Sequence, residues 1–263
     1  MLQVIKKNIL YHPIRNGALI FCFAIIAASL FSGNYILTSA SEGVKSGITK
    51  LGADVLVVPK DYVGKSEGVI LRGEPSMFFF DTDVTDAIAK VKGVSQVAPQ
   101  VFITTVNGTF SSVPVQLIGF NQSLDFTITP WLKKNSHEPL KKDEVLVGNQ
   151  IIPEVGETLK FYGHDFTITG KLEPTGTGVD TSVFMRIEDA YTMAKESKEK
   201  STTPLTLPEG KPSTILVKVD NASETHEISF RIVDAVWGVK VLTPEVLIST
   251  VSGQLNSLTR ILY

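Results

Sequence analysis

Hydrophobic and polar positions change their rhythm several times along this chain, and the changes mark its elements. Between Asn16 and Ser41 there is no charged residue, and Ala18–Leu37 reads ALIFCFAIIAASLFSGNYIL. At about 1.5 Å per residue, twenty such residues span roughly the 30 Å hydrocarbon core of a bilayer. Upstream, Leu2, Ile5 and Ile9 recur at helical spacing with Lys6 and Lys7 between them. That pattern predicts an amphipathic helix lying on a membrane face and ending at Pro13. Lys6, Lys7 and Arg15 precede the apolar run, the first forty residues hold no acid, and the next cation is Lys45. The positive-inside rule then predicts a cytoplasmic N-terminus, with everything after about Ser41 outside. A cleaved signal peptide is the competing reading, since Thr38-Ser39-Ala40 offers small residues to a peptidase. The run exceeds the usual signal-peptide apolar region of about 7–15 residues, which favours an anchor.

Beyond the span, Ala53–Val58 (ADVLVV) is an apolar, β-branched run ended by Pro59, consistent with a buried strand. Residues 60–80 show no periodicity and hold several glycines, which predicts an irregular stretch ending in the aromatic trio Phe78–Phe80. Asp83 reads as a helix cap, with Val84, Ile88 and Val91 on one stripe and Gly93 as the stop. A strand over 94–106, interrupted by Pro99, leads through Asn107-Gly108 into a second strand up to Phe120. The same grammar recurs later: strand Thr214–Asp220, helix Ser223–Trp237 with Ile228, Ile232 and Val236 on one face, then strand Val239–Leu242. Val91-Lys92-Gly93-Val94 aligns with Val236-Trp237-Gly238-Val239, which predicts two β-α-β units sharing one sheet.

Between these units the rhythm is that of short strands, at Glu144–Gly148, Thr158–Tyr162, Asp165–Leu172 and Ser182–Arg186. A helix over Ile187–Lys198 and a proline-bearing linker over Ser201–Pro212 follow. The expectation is an inserted β-rich lobe over about 125–210. From Pro244 onward, Leu247, Val251, Leu255, Leu258 and Leu262 form the seam of a long amphipathic helix. The chain stops while this helix is still apolar, which suggests a truncated chain or a partner lying elsewhere.

Composition narrows the chemistry. Of 25 Lys and Arg, three lie in the first forty residues, leaving 22 beside all 27 Asp and Glu. A mildly acidic exterior carries no footprint for nucleic acid. The single cysteine, Cys22, lies in the apolar run, so the exterior has no disulfides and must rely on its core. His12, His137, His164 and His226 lack metal-ligand spacing, and neither a phosphate-binding loop nor a nucleophile elbow is present. Thr175–Asp180 (TGTGVD) reads as a connection between strands, with Asp180 capping a turn. Three sequons, at Asn107, Asn121 and Asn221, matter only in a glycosylating compartment. Phe78–Phe80 is open to two readings, an exposed partner- or membrane-facing patch or core packing. No catalytic, cofactor-binding or metal-binding residue is identified, and no enzyme or cofactor is expected.

Taken in order, several stretches resemble the MacB/FtsX-like ABC transporter permeases. They are the basic N-terminal segment and apolar span, LGADVLVVPK (Leu51–Lys60), the helix ending in KGV (Lys92–Val94) and VPVQLIGFN (Val113–Asn121). DEVLVGNQI (Asp143–Ile151) and VGETLKFYGHDFTITGKLEPTGTGVDTSVF (Val155–Phe184) continue the likeness. The resemblance implies an α+β fold with an N-terminal transmembrane helix (1–41) and a MacB-like extracytoplasmic core (42–243). That core is two-lobed, a β-α-β porter-like lobe carrying the β-rich insert. A stalk helix (244–263) would then lead toward a second membrane helix. It further implies an ABC ATPase subunit, a second permease subunit (homo- or heterodimer) and the lipid bilayer as partners, at the cell membrane. The implied role couples a partner's ATP hydrolysis to export or extraction at the outer face. The alternative is a membrane-anchored extracytoplasmic binding or sensor module; a third reading, an anchored hydrolase, lacks a nucleophile–base pair.

Overall fold

The computed structural model describes residues 13–50, 52–105, 114–132, 139–250 and 253. The amphipathic segment before Pro13, the Asn107-Gly108 turn and seam positions Val251, Leu255, Leu258 and Leu262 lie outside the described residues.

Helix α1 runs unbroken over Pro13–Lys50. The chain then builds strands β1 (Val55–Pro59), β2 (Val94–Thr104), β3 (Gln116–Phe120), β4 (Glu144–Val147), β5 (Thr158–Phe161), β6 (His164–Lys171), β7 (Ser182–Arg186), β8 (Thr214–Val219) and β9 (Val239–Leu242). Helices α2 (Val63–Glu67), α3 (Thr85–Ala89), α4 (Ile187–Lys200) and α5 (Thr225–Ala235) connect them, and α6 begins at 244 and continues to 250.

All nine strands form one sheet, in the order β5-β6-β4-β7-β3-β2-β8-β1-β9. The last four are two interlocked split β-α-β units. β8 lies between β1 and β2, antiparallel to both, and β1 lies between β8 and β9. That is the ferredoxin-like arrangement, and it accounts for the repeated helix–glycine–strand signature. Gly93 and Gly238 both have positive φ, at 98° and 79°. Each carbonyl accepts an equivalent 2.9 Å hydrogen bond, from Asp220 N–H just past β8 and from Lys60 N–H just past β1. Pro99 does not interrupt β2. Pairing to β3 starts only at Gln100, so at Pro99 the strand is bonded to β8 alone and a missing donor is tolerated.

The segment expected to form a separate β-rich lobe does not close a sheet of its own. β3 and β7 pair in parallel over five positions, Gln116↔Ser182 to Phe120↔Arg186, and carry the sheet on into β4, β6 and β5. A correction concerns residues 60–72, which are helical rather than irregular: a 3-10 turn, α2, and a wide helical turn over Gly68–Arg72. The glycines at 64, 68 and 73 hide this from a propensity reading.

Side chains alternate between two covered faces. One packs Val57 and Val217 against Ile228 and Ile232 of α5 with α3 beside it, and Val101, Val145 and Met185 against Met193 of α4. The other buries Phe102, Phe120, Phe184, Leu56 and Leu216 under the 60–72 segment and nearby loops. Phe78 and Phe80 are buried and Phe79 half-buried, so the aromatic trio is core. Phe78 meets Phe102 edge-on at 5.6 Å between ring centroids.

Candidate functional site

Within α1, Ile14–Gly33 is long and apolar enough to cross a bilayer, and none of it is buried against the protein. Phe21, Phe23 and Phe31 are each about two-thirds exposed or more, and Cys22 is exposed. In water such a surface would be costly, at about 25 cal/mol per Å² of apolar area, and lipid removes that cost. The helix does not stop where the apolar stretch stops. At 38 residues it is about 57 Å long, roughly twice the hydrocarbon core. Its C-terminal half is a ready-made stalk.

That stalk feeds the root of the sheet. Two residues past the described part of α1, Gly52 has φ +73°, and Asp54 then fastens the start of β1 to the end of β8. Asp54 N–H donates to Val217 O at 3.0 Å, and its carboxylate accepts from Val219 N–H at 2.9 Å. The outgoing connection leaves beside the incoming one: Leu56 at the start of β1 pairs with Leu242 at the end of β9. α6 begins two residues later, its first turn closed by Leu247 N–H donating to Thr243 O. Leu247 is 3% exposed and packs with Leu56, Leu216 and Leu242, so the base of α6 belongs to the core of the domain. The expected seam is thus anchored at its first position. Both ways out of the domain emerge side by side, a relationship no local sequence pattern announces.

An open cleft of about 400 Å³ flanks this root, with Asp54, Thr225, His226, Thr243 and Glu245 among its walls. Its walls lack a convergent set of ligands. Among the described residues no group of histidines, cysteines and carboxylates is placed to hold a metal. His226 instead meets Phe230 edge-on at 5.4 Å between ring centroids, while His164 is buried elsewhere between two carboxylates. The glycine-rich loop is structural. Asp180, 3% exposed, accepts from Thr175 N–H, Thr175 Oγ1 and Gly176 N–H at 2.8–2.9 Å. Asn121 and Asn221 spend their side chains on local turns, each accepting from the serine two residues on.

Between the sheet and the 60–72 cover lies an apolar cavity of about 40 Å³, walled by Leu56, Val69, Phe102, Ile118 and Phe184 among others. It holds little more than one small molecule. The outer face of α5 and the turn after it carry apolar bulk into solvent: on the helix Phe230 is 68% exposed and Val233 45%, and in the turn Trp237 is 96% exposed.

The pattern of the family described as MacB-like periplasmic core domain matches residues 18–235. Among solved structures, the periplasmic region of MacB from Actinobacillus actinomycetemcomitans is similar, at 11% identity and a TM-score of 0.47. The alignment covers 78% of this chain and 95% of that one. The extracellular domain of the noncanonic ABC-type transporter YknZ from Gram-positive bacteria aligns over 73% of this chain and 99% of that one. Its identity is 11% and its TM-score 0.43. No curated protein matches.

Proposed function

We propose, for a chain that belongs to the MacB-like periplasmic core domain family of ABC transporter permeases, that it carries motion between the membrane and an external domain. In this reading residues before α1 are cytoplasmic and the sheet is extracytoplasmic. An ABC ATPase subunit supplies the energy, and a second permease subunit completes the assembly. Export or extraction takes place at the outer face. The chain itself performs no catalysis; it transmits force.

One observation carries this reading: the incoming stalk and the outgoing helix α6 root side by side on β1 and β9. Two adjacent helical levers on neighbouring strands convert a relative shift of the helices into rotation of the sheet. A binding or sensor module tethered by one helix has no need of a second lever packed into its core through Leu247.

Ser249 is exposed on α6 and accepts a spin label. In proteoliposomes holding the chain and its ATPase, trapping ATP with vanadate should change the label-to-label distance between copies. An unchanged distance, with ATP hydrolysis intact, overturns the coupling role.

A further inference from the structure

Helix α5 has an inner face and a second apolar stripe that nothing covers. Ile228, Ser229 and Ile232 turn into the domain, as does Val236 just past the helix end. His226, Phe230 and Val233, spaced by four and then three, are exposed, and exposed Trp237 follows four residues later in the turn. Spacing by four and three is that of a stripe through which one helix packs on another. His226 and Phe230 meet edge-on within it. Phe230, Arg231, Val233 and Asp234 surround an open depression, the kind of four-residue hole that receives a side chain from a facing helix.

The stripe has a defined place on the domain. Arg231 reaches the opposite way, donating to Lys92 O at 3.1 Å just before β2 and to Glu227 Oε1 at 2.5 Å. At 100° per residue the stripe lies on the other flank, turned toward β9, the edge strand of the sheet. α5 starts at the root cleft, which Thr225 and His226 line together with Asp54. The chain then reaches Gly238, whose carbonyl accepts from Lys60 N–H just past the far end of β1. The helix therefore climbs away from the root by about 17 Å, its own length. Lipid at the foot of the stalk cannot cover it.

Its size limits what can. A large aromatic side chain offers about 150–250 Å², so Phe230, Val233 and Trp237 leave roughly 400 Å² uncovered, as much as the largest patch of a typical monomer. Two such patches in contact would bury roughly 800 Å², short of the ~1,200 Å² at which free proteins hold together. That is enough for partners already confined together, as copies of one chain are when each carries the membrane-crossing stretch of α1.

We propose, resting on the reading that a second permease subunit completes the assembly, that a second copy of this chain covers the stripe with its own α5. Two copies anchored in one bilayer share a two-fold axis along the membrane normal. Their α5 helices then rise from the roots in the same direction and meet in register. The charges suit this arrangement. Glu227, Arg231 and Asp234 lie on one flank of the stripe, and the two-fold sends the two sets to opposite sides, so like charges do not confront one another.

The test uses the full chain in proteoliposomes, with Cys22 replaced by serine. Single-molecule photobleaching of Lys198→Cys, labelled on the exposed side of α4, reports whether two copies associate. Val233→Cys should give a covalent dimer with a short bis-maleimide, and unlabelled Lys198→Cys should not. Added to Val233→Cys, Phe230→Ser or Trp237→Ala should lower the dimer yield tenfold or more, as loss of a central aromatic anchor does. The melting temperature should not move, because both side chains are exposed. Two-step bleaching without a Val233→Cys dimer overturns the α5 contact and leaves the second subunit in place. A full dimer yield in both aromatic variants overturns the contact as well. Single-step bleaching throughout overturns both the contact and the association of copies.

Discussion

Gly178 and Gly73 lie backbone against backbone. A Cβ built on Gly178 would fall 2.6 Å from Gly73 N and closer still to the carbonyl oxygen of Val69. This contact joins the loop before β7 to the end of the helical cover over the sheet, so the two glycines hold the far face of the sheet closed. Gly178→Ala should therefore lower the stability of the external domain by about 1–3 kcal/mol or more, the usual cost of overpacking a tight contact. Gly64→Ala makes the opposite control: Gly64 is exposed inside α2 with nothing within 4 Å of its Cβ position. It should gain about 0.5–1 kcal/mol. Urea unfolding of the two variants, followed by tryptophan fluorescence, should shift in opposite directions.

The root of α6 predicts a second result. Leu247 is buried among Leu56, Leu216 and Leu242, so Leu247→Ala should cost about 2–5 kcal/mol, as other buried leucine truncations do. The loss should appear in the same cooperative transition as the sheet. A separate, low-cost transition would mean that α6 melts by itself and is no part of the core.

Topology is open to a direct check. Lys141 is exposed on the turn before β4. With Cys22 replaced by serine, Lys141→Cys should react with a membrane-impermeant maleimide in intact cells. Protection until the cells are lysed would place the sheet on the cytoplasmic side and defeat the proposed orientation.

Asp189 predicts a pH effect of defined sign. It is buried at the start of α4, and burial raises its carboxyl above the ordinary 3.8, with Arg186 and the Asp143 amide opposing. A raised carboxyl contributes stability below its unfolded value and loses it as pH climbs through the folded one. Asp189→Asn keeps an oxygen for the Asp143 N–H and removes the charge. The variant should exceed wild type in urea midpoint at neutral pH, and the gap should close toward pH 4. A gap of constant size would assign the effect to packing.

The strands that read correctly from sequence are those whose burial alternates or saturates within a few residues. β6 alternates buried and exposed positions along most of its length, β1 is buried throughout, and α5 buries Ile228 and Ile232 one turn apart. What sequence did not show depends on distance. The β3–β7 pairing that makes one sheet of two halves joins residues 66 apart, Gln116 with Ser182, through strands that are each a short apolar run. Such runs carry no mark of which neighbour they choose. The burial of His164 between Asp143 and Glu196 has the same character: the two carboxylates lie 21 residues upstream and 32 downstream, and neither spacing resembles a motif. The 60–72 cover failed for a different reason, since its glycines lower helical propensity while tertiary packing of Ser66, Val69 and Leu71 keeps the helix in place.

Because the sheet is continuous, its root and its far edge form a single cantilever. Nine strands in one row leave eight gaps of about 4.8 Å, which sets β5 roughly 40 Å from β9. A tilt of about 10° at the β1–β9 end would sweep the opposite rim through roughly 7 Å, several times the displacement needed at the pivot. Hydrogen bonds across every gap make the beam stiff in that direction. In the proposed coupling role, a small, forceful event at one margin would emerge as a long, weaker stroke at the other.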